Sequence, residues 1–151
     1  ENSKSIELLR LLLSKDDLDL HWKDSYSRTA LHHACRVGNI ETVKLLVSRD
    51  DFGINTRMRD GETALLRACV ETHFDVVRQI LLLREDVDIH GNEITDMNAF
   101  HHACKEGNKE TVEILLSRKD LDINQKLLNG RTGFYLACKG GHIEIVRLLL
   151  T

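Results

Sequence analysis

Between Thr29 and Val47 the chain runs TALHHACRVGNIETVKLLV, with its apolar positions grouped in two short blocks on either side of Gly38. In the second block Ile40, Val43, Leu46 and Val47 share one face of a helix. The same grouping returns as TALLRACVETHFDVVRQIL from Thr63, NAFHHACKEGNKETVEILL from Asn98 and TGFYLACKGGHIEIVRLLL from Thr132. The starting points lie 34, 35 and 34 residues apart. Register holds through each unit: Cys35, Cys69, Cys104 and Cys138 are equivalent, as are Val43, Val77, Val112 and Val146. Such a period marks stacked repeats, in which each unit buries its apolar face against its neighbours rather than in one central core.

Thr29, Thr63, Asn98 and Thr132 stand where a side-chain oxygen can cap the helix that follows. The spacing predicts a first helix over about Ala30–Val37 and a second over about Ile40–Ser48. Gly38, Gly107 or Gly141 closes the first helix, and Asn39 or Asn108 caps the second. Asp-Gly in Arg59-Asp60-Gly61-Glu62 and Asn-Gly in Leu128-Asn129-Gly130-Arg131 signal tight turns. The segments DDLDLHW, DDFGINT, EDVDIHG and KDLDINQ correspond to one another, and their alternation (Leu18/Leu20, Leu121/Ile123) predicts a short extended stretch after each helix pair. SIELLRLLLS, at 5–14, aligns with the second helix, so the chain opens halfway through a unit.

A hydrophobic fraction of 42% and a charged fraction of 30% suit a folded, soluble chain. A net charge of −3 gives no steer towards nucleic acid or acidic lipid. No run approaches the roughly 18 apolar residues of a membrane span. Equivalent cysteines in stacked helices are spaced by roughly 8–10 Å, beyond the about 7 Å that a disulfide tolerates. Four small buried thiols are therefore expected, in keeping with a reducing cytoplasm or nucleus. The absence of an Asn-x-Ser/Thr acceptor also leans towards an intracellular setting. The chain begins at Glu1 rather than Met and its ends lack polar capping repeats, so it is expected to be part of a longer protein.

Turn, short helix, tight loop and second helix, with Thr29, Leu31, His32, Ala34, Gly38, Val43, Leu45, Leu46 and their counterparts, resemble the ankyrin repeat family. The resemblance covers essentially the whole chain. It implies an all-α solenoid of helix-turn-helix units with β-turn or hairpin fingers. The expected division is a single domain over 1–151: a half repeat at 1–23, repeats over about 24–57, 58–92 and 93–126, and a partial repeat at 127–151. The family's proline is replaced by Ala30, Ala64, Ala99 and Gly133. Thr72 stands at a glycine site, Gln79 puts an amide at an apolar position, and the turn at 93–97 lacks glycine. The second and third units are accordingly expected to be the weakest.

No HExxH, CxxC, GxGxxG, Walker-type or GxSxG string occurs, so no enzyme, cofactor or metal is implied. The pairs His32/His33 and His101/His102 point in divergent directions on their helices and cannot share an ion. The resemblance gives His32 and His101 a structural role, bonding the turn backbone. It implies that Asn55 or Asn124 can be a modification site, where the residues themselves imply local turn bonding. It also implies a concave groove of finger tips and first helices that binds a protein partner, either a folded domain or a peptide. Mapped by residue, this partner-binding surface comprises Tyr26, Arg28, Arg36, Arg59, Asp60, Glu62, Glu71, Ile94, Met97, Lys105, Leu128, Arg131 and Lys139. Tyr26, Ile94, Met97 and Leu128 stand out, because an apolar side chain on a turn tip gains nothing from solvent. For Ile94 and Leu128 the alternative is packing between neighbouring turns, and Trp22 is expected to pack. Other functions left open are a nucleotide-, oligonucleotide- or small-ligand-sensing array and a substrate-recruiting domain attached to a catalytic one. Nucleic acid is disfavoured because acidic residues interleave the cations Arg28, Arg36, Arg59, Lys105, Arg131 and Lys139.

Overall fold

Caps and glycines bound several of the short helices among the described residues, and the sides of the helices follow from the apolar spacing. A computed structural model of the chain describes Lys4, Glu7, Arg10, Leu11, Ser14, Lys15, Asp19, and residues 21–90 and 96–151. The helices are α1 (Ala30–Val37), α2 (Ile40–Val47), α3 (Ala64–Val70), α4 (Phe74–Leu83), α5 (Ala99–Glu106), α6 (Lys109–Leu116), α7 (Gly133–Gly140) and α8 (Ile143–Leu150). Lys4, Glu7, Arg10 and Leu11 are helical too, in keeping with the helix expected over 5–14. Thr63 Oγ1, Asn98 Oδ1 and Thr132 Oγ1 accept from the amides of Leu66, His101 and Tyr135 at 3.3, 3.0 and 3.3 Å. Asn39 and Asn108 cap α2 and α6, accepting from the Thr42 and Thr111 amides at 3.1 and 2.8 Å.

The odd-numbered helices pack in file and the even-numbered ones form a second file beside them. One buried strip runs along the array between the files, through Leu31, Val43, Leu65, Ile80, Phe100, Leu115 and Ile145. Each such side chain contributes about 1.5–3 kcal/mol by leaving water. Cys35, Cys69 and Cys104 lie in this strip, and burial pushes the Cys104 thiol up to about 12. Cys138 corrects the expectation of four buried thiols: it is free but exposed, because α7 and α8 form the last described layer.

The segment after α2 is not extended. The Ile54 amide donates to the Phe52 carbonyl at 2.7 Å and the Thr56 amide to the Gly53 carbonyl at 3.1 Å, which are tight turns. Phe52, Ile54, Val87 and Ile89 are nevertheless buried, whereas Ile123 is 42% exposed and Leu18 and Leu20 lie outside the described residues. Among the described residues the β pairing is a single bridge, Arg57 to Thr63, at the base of one finger. That finger closes with the Met58 amide on the Glu62 carbonyl at 2.8 Å, and the finger at 127–131 closes likewise from Leu127 to Arg131 at 2.8 Å. Trp22, expected to pack, is 64% exposed.

Two devices bind layer to layer. Arg49, Arg84 and Arg118 each grip the aspartate two residues on, Asp51, Asp86 and Asp120, through both oxygens. The bonds from Arg84 and Arg118 hold the Asp86 and Asp120 carboxyls below the usual carboxylate range. Arg84 also donates to the carbonyls of Val47 and Arg49, and Arg118 to that of Val87, all in the preceding layer. The second device is a histidine at the head of α4 and of α8. His73 Nε2 donates to the Arg36 carbonyl at 3.2 Å and His142 Nε2 to the Lys105 carbonyl at 2.9 Å. Each ring lies where a Cβ on Gly38 or Gly107 would stand, 2.8 and 2.5 Å from that point.

Thr72 holds φ at 59°, a conformation costly for a β-branched residue. Thr72→Gly is expected to raise stability by about 0.5–1 kcal/mol, read as a higher urea midpoint. A midpoint at or below that of the unchanged chain would rule out stored strain at this turn.

Candidate functional site

Two recesses lie where fingers meet first helices of the units, one against α3 and one against α5 and α7. The smaller, about 210 Å³, is lined by Tyr26, Arg28, Met58, Arg59, Asp60 and Arg67. Here the first finger is locked from within. Asp24 accepts from the Arg28 and Tyr26 amides at 2.9 Å and from Arg28 Nε at 2.7 Å. Burial opposes ionisation, yet the Arg28 amide, the Arg28 guanidinium and the Tyr26 amide together hold the Asp24 carboxyl well below the usual range. The Arg28 guanidinium lies 4.7 Å above the exposed Tyr26 ring, and the Arg59 amide donates to the Tyr26 carbonyl at 3.2 Å.

The larger recess, about 450 Å³, is lined by Met97, Lys105, Leu127, Asn129, Arg131, Leu136, Lys139 and Gly140. Its floor is apolar and its rim carries three cations. Lys105 pairs with Glu106 at 2.9 Å. The Arg131 guanidinium lies 5.4 Å from the centre of the Tyr135 ring. Among the described residues no carboxylate stands within ion-pairing distance of Arg131 or Lys139.

Of the residues picked out on sequence grounds, Met97, Lys105, Arg131 and Lys139 converge on the larger recess and Tyr26, Arg28, Arg59 and Asp60 on the smaller. Arg36, Glu71 and Leu128 are exposed but line neither. Ile94 lies outside the described residues. Two of the placements are corrected. Met97 is only 8% exposed and serves as cleft floor rather than as a protruding tip, because the chain turns inward before Asn98 caps α5. Glu62 is 7% exposed and pairs with Arg67 at 2.5 Å, so it supports the finger from beneath instead of facing a partner. Leu128, for which packing between turns was the alternative, is 85% exposed. Leu127 and Leu136, which sequence reasoning passed over, supply the rest of the floor. The Leu127-Leu128 pair at the start of a turn was the available signal, since a hairpin points adjacent side chains to opposite sides.

The histidines are used internally. The Thr29 amide donates to His32 Nδ1 at 3.1 Å, which leaves the ring proton on Nε2. His101 Nε2 faces the Gln125 carbonyl at 3.0 Å. Asn55 joins two layers: its Nδ2 donates to the Asp86 carbonyl at 2.8 Å and its Oδ1 accepts from the Asp88 amide at 2.7 Å. Among the described residues no three His, Cys, Asp or Glu side chains gather as a metal site would require, and no helix is long and apolar enough to cross a membrane. A family model described as ankyrin repeats, three copies, matches residues 1–92 and 79–151. Comparison with curated proteins returns no match.

Proposed function

The chain belongs to the ankyrin repeat family, whose arrays are protein-interaction modules without catalytic activity of their own, and from this we propose that its groove binds a protein partner. The observation that carries the reading is the clustering of the expected partner-binding positions into two recesses, one lined by exposed Tyr26, with exposed Leu128 beside the other. Neither side chain gains from the fold by standing in water, whereas aromatic and arginine side chains are the usual anchors of an interface. The charge pattern supports it too. Asp60, Glu71 and Glu106 alternate with Arg59, Arg67 and Lys105, several of them already paired, as suits a protein surface better than a polyanion. On this reading the protein works by recruitment in an intracellular compartment, and Tyr26, Arg59 and Leu128 carry contacts along the groove.

Immobilised chain bearing Tyr26→Ala, Arg59→Ala and Leu128→Ala together is expected to lose its bound proteins from a cell extract by about tenfold. A chain bearing Lys109→Ala and Glu113→Ala, an exposed pair on the outer side of α6, is expected to retain them. Quantitative mass spectrometry of the captured proteins reads both. Equal capture by the groove variant, or loss by the α6 variant, would place binding elsewhere.

A further inference from the structure

We infer that the larger cleft takes an acidic protein segment bearing one large apolar side chain. That side chain sits on Met97, Leu127 and Leu136, and the flanking carboxylates meet Lys105, Arg131 and Lys139. This deepens, and rests on, the protein-binding reading of the groove.

Charge complementarity selects the occupant. The rim carries three cations and no carboxylate among its lining residues, and only Lys105 has its charge shared, with Glu106. Lys105 and Lys139 stand in the last turns of α5 and α7, where a cation also complements the helix dipole. Arg131 has no such reason for its position. It projects from a finger with its guanidinium carbon 5.4 Å from the centre of the Tyr135 ring, and a guanidinium can grip a carboxylate through two bonds.

The floor selects the rest of the ligand. Met97, Leu127 and Leu136 are each less than a tenth exposed, so what remains open faces the cleft. At about 450 Å³ the space suits one phenylalanine or leucine side chain and its adjoining backbone. A nucleic acid fits less well. Its phosphates would continue past the cleft onto Glu71 and Asp60, where Arg67 is already paired with Asp60, Glu62 and Glu71.

The test uses the full chain and a short fluorescein-labelled peptide of glutamate, aspartate and serine with a central phenylalanine. The comparators are the same peptide with alanine at its centre, a lysine-rich version, and a labelled single-stranded oligonucleotide. Anisotropy gives affinity, and amide shifts in the NMR spectrum locate the site. The acidic phenylalanine peptide is expected to bind and to move the amides of Arg131 and Lys139. Removing the ring, or introducing Arg131→Glu with Lys139→Glu, is expected to weaken binding by about tenfold or more. Circular dichroism establishes that the double variant keeps its helices.

Absent binding, indifference to the ring, or indifference to charge reversal would overturn the proposal. So would tighter binding of the oligonucleotide, which would make the rim a phosphate site. Self-association in sedimentation that is abolished by the same two substitutions would also overturn it, because the occupant would then be a second copy of the chain. Tyr26, Arg59 and Leu128 lie outside the cleft, so capture that still depends on them while the peptide fails would remove this chemistry and leave the groove reading intact.

Discussion

Gly133→Ala is expected to destabilise the chain by about 1–3 kcal/mol, although alanine is the better helix former by about 1 kcal/mol. Gly133 opens α7 and is buried. A Cβ there would overlap the Phe100 ring and come within 3.1 Å of the Cys104 sulfur. Phe100 is itself fully buried and has no room to swing away. In the two preceding layers, the residues aligned with Phe100 are Leu31 and Leu65, and those aligned with Gly133 are Ala64 and Ala99. A longer ring in one layer is thus matched by a missing methyl in the next. Phe100→Leu alone should leave a void and cost about 1 kcal/mol. The double variant Phe100→Leu/Gly133→Ala should recover about 1–2 kcal/mol relative to the sum of the single effects. Strict additivity in urea unfolding would show that the two side chains do not compete for one space.

Lowering the pH from 6.5 to 4 is expected to remove about 3 kcal/mol through His32 alone. Burial depresses the pKa of this ring to about 4, against an ordinary value of 6.5. Between those two values the unfolded chain binds a proton that the folded chain refuses. Stability is therefore fully present above pH 6.5 and falls as the pH drops through the window. His101 is shifted downward for the same first reason, burial, and acts in the same direction. The aspartates gripped by Arg84 and Arg118 lose their contribution only at lower pH, which keeps the two effects apart. Urea midpoints at stepped pH values measure the slope, and His32→Gln should flatten it above pH 4. An unchanged slope in that variant would move the proton uptake to another group.

The helices were legible because their signals are local. α1 was expected over Ala30–Val37 and occupies that span, since a cap, a glycine and an apolar stripe each lie within one turn of the residues they govern. Inter-layer bonds were not legible in the same way. The gripping pair Arg49/Asp51 recurs at Arg84/Asp86 and Arg118/Asp120, but what each arginine touches in the previous layer depends on stacking distance. The groove was legible in part. Arg131 and Lys139 could be placed on the open side from alignment alone. Met97 and Glu62 could not, because whether a residue just before a helix cap turns inward depends on the packing around it and not on the local sequence.

The pairing of His73 with Gly38 and of His142 with Gly107 makes the layers non-interchangeable. An imidazole needs a bare backbone above it, and Thr72 does not offer one. Excising the Asn108 layer would bring His142 against Thr72, and excising the His73 layer would leave Gly38 uncovered. Removing both would seat His142 on Gly38 with the original fit. The array is in this respect a series of dyads, and lengthening or shortening by two layers is the step its geometry allows.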